Sequence, residues 1–307
     1  MKKDQRGFAL VITLLVTALL VALSAEFVDE VFVDTSARQS FTDGQQASIM
    51  AKSGVTACIK GLQTVQGFHP AYTSLADLAQ LAKMLNVQDE KGTLQVIVED
   101  ESGKLNVNQI FGTNGNVLYQ RNYDIAARLF KKFGLSTDLL NALDDWVDDA
   151  GVAPHPGGAK SPYYKALKPP YDVKSGKLDT VEELALVKGF STGTVQQLRP
   201  YVTIYTDMPG LININTAPKE IIAALDDRMT DSLTTQMLDY RKTTPFQAAA
   251  DLAKVAGMET IATGLSTSTT TTGAVFRIVS QAMVGETVRI VEAVVNNGGH
   301  VYYWREY

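Results

Sequence analysis

From Phe8 to Ala25 the chain carries no charged residue, and apolar side chains run almost without a break. That is about 18 residues, or roughly 27 Å of helix at 1.5 Å per residue, close to the hydrocarbon thickness of a bilayer. Lys2, Lys3 and Arg6 precede the stretch and Glu26 ends it. Basic residues ahead of an apolar span place the N-terminus in the cytoplasm and the C-terminal body outside. Three fates compete for such a segment: a secretory signal peptide, a plain anchor, or an anchor trimmed at its border. Signal peptides have a shorter apolar core and a small-residue cleavage site. Ser24-Ala25 is small, but no polar break precedes it.

The apolar pattern continues past the span. Val28, Val31, Phe32 and Thr35 recur at helical spacing, as do Ala47, Met50, Ala51 and Gly54. One long helix from Phe8 to about Leu62 is expected, weakened at Gly44, its second half packed on a head. Leu94–Asp100 alternates as a strand, and Lys104–Asn108 reads as a second strand or a corner. Ala274–Ala282 and Thr287–Val295 are β-rich. Asn297-Gly298-Gly299 is a turn, and Val301–Arg305 closes a hairpin. Between the early and late strands lie segments that read as short helices: 119–133, 137–148, 180–188, 192–198, 218–225, 231–241 and 246–255. Ser136 or Thr137, Thr180, and Asn215 or Thr216 stand ready as caps. Strands, then helices, then strands point to a helical domain inserted into a sheet domain. Ser266–Thr272 is low in complexity and expected to be a solvated linker.

Charge and composition exclude several functions. The 307 residues carry a net −5 with a pI near 5.3, so no basic face invites nucleic acid. Cys58 is alone, and His69, His155 and His300 are scattered, so neither a disulfide framework nor a histidine zinc site is expected. Gly210–Pro218 alternates Ile and Asn (I-N-I-N), and Lys104–Gln109 is a weaker echo of it. The N-I-N-T-A pattern also occurs in helix-hairpin-helix modules, some of which bind DNA phosphates. Acidic Asp226, Asp227, Asp231 and Asp239 follow it, so a structural corner is the favoured reading. Asp144-Asp145-Trp146-Val147-Asp148-Asp149 sets four carboxylates within six residues, ahead of a Pro/Gly-rich loop. Crowded oxygens suit a hard cation such as Ca²⁺, although the spacing is not that of an EF-hand. The alternative is a solvated acidic turn with Trp146 in the core. No nucleophile or oxyanion donor accompanies the carboxylates, so catalysis is not expected.

Arg6-Gly7-Phe8, a basic leader followed by Gly and then Phe at the start of an apolar helix, resembles a prepilin processing site. That resemblance implies cleavage between Gly7 and Phe8 by a prepilin peptidase and methylation of the new N-terminus. The leader holds three cations and one anion, so its loss takes the net charge from −5 to −7. Taken in order, R-G-F at 6–8, D-W-V-D at 145–148, G-A at 158–159, Pro169-Pro170-Tyr171, Leu178–Gly189, Leu211–Pro218 and the terminal Trp304-Arg305-Glu306 resemble the K minor pseudopilin family of type II secretion (GspK). The fifth residue after the cleavage point is Ile12, where most pilin-like subunits carry a Glu; K subunits typically lack it, which suits a subunit at the tip.

The resemblance implies an α+β chain with a leader at 1–7 and a transmembrane helix at 8–28. A pilin-like antiparallel sheet head covers 29–116 and 273–307. An all-α insertion of helix-hairpin-helix/SAM-like type covers 117–272. It implies a single-pass inner-membrane protein with a periplasmic head. The implied partners are the I- and J-type minor pseudopilins, the major pseudopilin, the prepilin peptidase and membrane lipid, with no nucleic acid. Its role would be to initiate the pseudopilus and limit its growth for export across the outer membrane. A type IV pilus minor subunit is the alternative, and an envelope DNA-binding protein a more distant one. The resemblance also implies Ca²⁺ at Asp145, Asp148 and Asp149. The chain departs from the pattern at Lys160, a cation where an acidic ligand would be expected, which lowers the ligand count.

Overall fold

The computed structural model describes residues 5–112, 117, 119–148, 153–205 and 210–307. One helix, α1 (Gln5–Phe68), dominates it. At 64 residues it is about 96 Å long. It runs straight through Gly44, where weakening was expected. α2 (Leu75–Leu85) follows, with the Ser74 hydroxyl accepting from the Asp77 N–H at 3.2 Å. Next come β1 (Val87–Asp89), β2 (Gly92–Asp100) and β3 (Leu105–Asn106). The inserted region continues through α3 (Gln120–Lys132), α4 (Asp138–Val147), α5 (Ser161–Lys165), a 3₁₀ run Val181–Leu186, α6 (Thr192–Leu198) and β4 (Val202–Thr203). It then passes through β5 (Ile212–Asn213), α7 (Lys219–Ala224), α8 (Asp231–Thr243), a 3₁₀ run Ala249–Lys254, α9 (Glu259–Leu265) and β6 (Thr269–Thr270). β7 (Val275–Val284), β8 (Thr287–Asn296) and β9 (Val301–Glu306) close the chain.

The main sheet has the order β1-β2-β7-β8-β9 and is antiparallel throughout. Ala47, Ala51, Val55, Cys58 and Leu62 recur every three or four positions on α1, so they form one stripe. That stripe packs on Val96, Ile278, Val291 and Ala293 of the sheet and on Leu78 and Leu81 of α2. Close approach depends on glycine. A Cβ at Gly54 would overlap Ser280 Oγ and stand 3.1 Å from Leu94 and 3.3 Å from Val96. One at Gly61 would overlap Leu81.

A second core lies in the inserted region, around Ile125, Phe130, Leu143, Trp146, Leu184, Ile221 and Leu252. Leu105, Val107, Ile110 and Phe111 belong to this core, so the chain leaves the sheet before the expected boundary at 117. The insertion is not purely helical. β3 pairs in parallel with β4, and β5 with β6.

The two ladders close two similar units. In each, a strand ends on the first Asn of an Asn-x-Asn pair. The first Asn accepts its own i+2 N–H, as Asn106 does from Asn108 at 2.9 Å and Asn213 from Asn215 at 3.0 Å. The second clamps a distant backbone from both sides. Asn108 donates to Leu178 O (2.9 Å) and accepts from Leu178 N–H (2.8 Å). Asn215 does the same at Phe246 (2.8 and 2.9 Å). In both units a six-residue 3₁₀ run, a glycine at positive φ (Gly189 at 88°, Gly257 at 85°) and a seven-residue helix lead back to the closing strand.

Two expectations change here. Ser266–Thr272 is not a solvated linker: Ser268, Thr269 and Thr271 are buried and β6 runs through it. The hydroxyls make this burial tolerable, with Thr269 donating to Leu265 O (2.8 Å) and Thr271 to Ala71 O (2.8 Å). Nor does Thr216 cap the next helix. Its hydroxyl donates to Asp100 Oδ2 at 2.8 Å. That carboxylate also accepts from Asn213 Nδ2 (2.7 Å) and the Ser102 N–H (2.8 Å), joining the insertion to the end of β2.

Candidate functional site

Two features carry the chemistry: the exposed rod of α1 and the acidic end of α4. Among the described residues α1 is the one helix long and apolar enough to cross a membrane, and no part of its most apolar window is buried. Gly7 and Phe8 sit in its first turns, with open space around Gly7 and Phe8 exposed. The few polar side chains in the span satisfy themselves within the helix. Thr13 donates to Ala9 O (3.0 Å), Thr17 to Thr13 O (2.8 Å) and Ser24 to Leu20 O (2.7 Å). This is what a lipid-exposed helix needs, since hydrocarbon offers no partner. Apolar exposure continues past the span at Phe27, Val28, Val31, Phe32 and Phe41.

At the other feature α4 ends on three carboxylates. Asp144, Asp145 and Asp148 are all buried, and Asp148 is the C-cap, its N–H bonded to Asp144 O. Trp146 between them lies in the core, edge-on to Tyr164 at 5.1 Å, with Nε1 donating to Glu183 Oε1 at 3.1 Å. A helix C-terminus disfavours negative charge, and burial disfavours it further. Burial pushes the Asp144 carboxyl up to about 6, with the neighbouring carboxylates Asp145 and Asp148 adding to the rise against the opposing pull of His155 and Lys160. Its Oδ1 has no hydrogen-bond partner among the described residues.

The following loop brings the compensating groups. The His155 N–H donates to Asp145 Oδ2 (3.0 Å), and its Nδ1 lies 2.9 Å from Oδ1. Its Nε2 stands 3.7 Å from Asp144 Oδ2. A Cβ at Gly158 would overlap Asp145 Oδ2, so only glycine lets the backbone pass there. Two residues on, Lys160 Nζ lies 2.7 Å from Asp148 Oδ2 and 3.6 Å from Asp145 Oδ1. It also approaches the carbonyls of Asp145 (3.4 Å) and Asp148 (3.5 Å).

The structure thus brings Asp145 and Asp148 together; Asp149 lies outside the described residues. Among those residues no three His, Cys, Asp or Glu side chains converge to hold a metal ion. The oxygens of Asp145 and Asp148 that a cation would need are engaged by His155 and Lys160. Sequence reasoning missed His155, whose pairing with Asp145 depends on how the loop folds back.

A long apolar N-terminal helix, an antiparallel sheet packed on its second half and a helical region inserted between two strands define a pilin-like subunit with an elaborated head. Two family models, both for Type II secretion system (T2SS), protein K, match residues 103–207 and 212–272, together more than half of the chain. The Type II secretion system protein K of Aeromonas hydrophila is 28% identical over 237 residues, 73% of this chain and 70% of the relative. That of Pectobacterium carotovorum subsp. carotovorum is 29% identical over 224 residues, 70% and 68% of the two chains. That of Pseudomonas aeruginosa is 22% identical over 308 residues, 97% and 90%. In fold, the chain is similar to one in the crystal structure of the GspK-GspI-GspJ complex from the enterotoxigenic Escherichia coli Type 2 Secretion System. The TM-score is 0.66 at 18% identity, covering 89% of this chain and 99% of that one. The chain belongs to the type II secretion system protein K family, GspK, whose members are minor pseudopilins: structural components of protein secretion and not enzymes.

Proposed function

We propose that this pseudopilin is anchored in the bacterial inner membrane by α1, with its head on the periplasmic side, and caps the tip of the secretion pseudopilus. The observation that carries the reading is the contrast along α1. Its first half is bare and apolar, suited to lateral packing against sister helices in lipid and then in the fibre. Its second half is clothed by the sheet and α2, and the chain between two of the sheet's strands forms the large inserted region with a core of its own. A rod of this kind joins a bundle sideways, while the bulk of the head leaves no room for another subunit above it. Ile12 agrees with a terminal place, since no carboxylate is held in the span for the N-terminal amine of a neighbour.

In this reading Arg6-Gly7-Phe8 is cut after Gly7 by the prepilin peptidase, and the partners are the I- and J-type minor pseudopilins and then the major pseudopilin. The solved relative was crystallised with GspI and GspJ, which supports that choice. The helix-hairpin-helix/SAM-like character of the insertion is then structural. Arg241 at the end of α8 spends Nη1 on Ile214 O (2.7 Å) and Ala217 O (2.8 Å), inside the corner and away from any phosphate.

The deciding experiment is mass spectrometry of the native N-terminus in cells with and without an active prepilin peptidase. Loss of residues 1–7 and a methylated Phe8 only when the peptidase is active is the expected result. Retention of the leader in its presence refutes the proposal. Co-purification with I- and J-type subunits, as against type IV pilus subunits, separates the two fibres.

A further inference from the structure

We infer that Lys160 is a built-in counter-ion that takes the place of a divalent cation at the end of α4, so that this region holds together without calcium. The need for a positive charge follows from the helix end itself. Asp145 and Asp148 are buried beside the unsatisfied carbonyls of a helix C-terminus, where charge and partial charge have the same sign. Buried carboxylates persist only when paired.

The lysine meets that need in a hard-cation geometry. Its side chain is 13% exposed. Its ammonium faces two carboxylate oxygens and two carbonyl oxygens from Asp145 and Asp148, at 2.7 to 3.6 Å. Calcium would ask for six to eight oxygens at about 2.3–2.6 Å. Here both oxygens of Asp145 are already engaged by His155, so few lone pairs remain. A divalent ion would have to displace Lys160, since two cations cannot share the cage. The loop is shaped for this lysine. Gly157 turns at φ 81° and Gly158 passes where a Cβ would overlap Asp145. Lys188 Nζ then holds the Gly158 carbonyl at 2.9 Å.

The test is thermal unfolding of the full chain in detergent, in EGTA and in millimolar CaCl₂, with calorimetric titration of CaCl₂ alongside. The wild type is expected to melt at the same temperature in both buffers and to show no binding heat. Lys160→Met, of similar length but without charge, is expected to melt lower by roughly 5–10 °C, as for a broken buried pair. Lys160→Arg is expected to recover most of that loss. Lys160→Glu is expected to melt low in EGTA and to regain stability in calcium. A wild type that calcium stabilises by several degrees, a Lys160→Met protein that melts normally, or a folded Lys160→Glu protein indifferent to calcium would each overturn the inference. If Lys160→Glu does not fold, the wild-type titration and Lys160→Met decide. No measurement here reads processing or fibre assembly, so a negative result leaves the pseudopilin reading untouched.

Discussion

Gly54→Ala asks whether α1 truly lies against the sheet. In an isolated helix the change stabilises by about 1 kcal/mol, because glycine is the poorer helix former. In this protein the new methyl group would overlap Ser280 Oγ and crowd Leu94 and Val96. Overpacking a tight contact costs about 1–3 kcal/mol. The net expectation is destabilisation by about 1 kcal/mol. Ser280 is fully buried in β7, opposite Val96 of β2, and its hydroxyl has no hydrogen-bond partner among the described residues. Ser280→Ala removes that orphan oxygen, so it should be neutral or stabilising by about 1 kcal/mol. Combined, the methyl group introduced by Gly54→Ala moves into the space the oxygen leaves. The double variant should then exceed the wild type by about 1–2 kcal/mol, with a coupling of about 2 kcal/mol across the cycle. Urea unfolding of the four proteins in detergent, followed by circular dichroism, measures this. Stabilisation by Gly54→Ala alone, with additive behaviour in the pair, would refute the close approach and with it the placing of the rod on the head.

Other expectations are as direct. Asn108→Ala and Asn215→Ala each strip two hydrogen bonds from a buried backbone pair and should cost about 2–4 kcal/mol. Hydrogen exchange should speed first at the Leu178 amide in one variant and at the Phe246 amide in the other; loosening at the same amides in both would contradict two separately closed units. Asp226 is held down to about 2 by hydrogen bonds from Arg228, whose Nε and Nη2 reach it at 2.8 and 2.9 Å. A depressed carboxyl pKa gives stability that is complete above its ordinary value of 3.8 and lost as pH falls toward 2. At this partly exposed pair the contribution is under about 1 kcal/mol. Asp226→Asn should flatten that part of the acid limb in urea titrations between pH 4 and 2, and an unchanged limb would exclude the pairing.

What the sequence announced were features that repeat along the chain. An uncharged stretch followed by a stripe at 47, 51 and 54 describes α1, and alternation at 94–100 with β-rich runs at 274–282 and 287–295 describes the sheet, because periodicity and β-branched content report which segments are buried as strands. The echo between Lys104–Gln109 and Gly210–Pro218 proved to be two matching clamps. Other signals were present but passed over: Ser74, Asp77 and the spacing Leu75, Leu78, Leu81 mark α2 plainly. The 3₁₀ runs at 181–186 and 249–254 were read as ordinary helix, since a single turn of either type shows the same apolar spacing. The Ser/Thr run misled because hydroxyls were counted as solvent-seeking, although each can be buried once a carbonyl is near. The cage at α4 was half visible. The carboxylates stood out, and Lys160 was noted as the wrong charge for a ligand. That its ammonium returns to Asp148 across twelve residues is set by the loop glycines, and no local pattern records it.

The chain departs from the sheet just after Asp100 and comes back at Gly273, and these two residues touch: a Cβ at Gly273 would stand 2.8 Å from the Asp100 carboxylate. Asp100 and Phe276 are cross-strand partners on adjacent antiparallel strands. Topologically, then, everything between them is the connection of one β-hairpin, grown to the size of a protein. Such a connection can lengthen, shorten or be exchanged without moving the strands it joins, because closing a longer loop costs little more than closing a short one. A lineage of pilin-like subunits could therefore acquire an inserted region of this size in a single event, while the rod and sheet kept their original form.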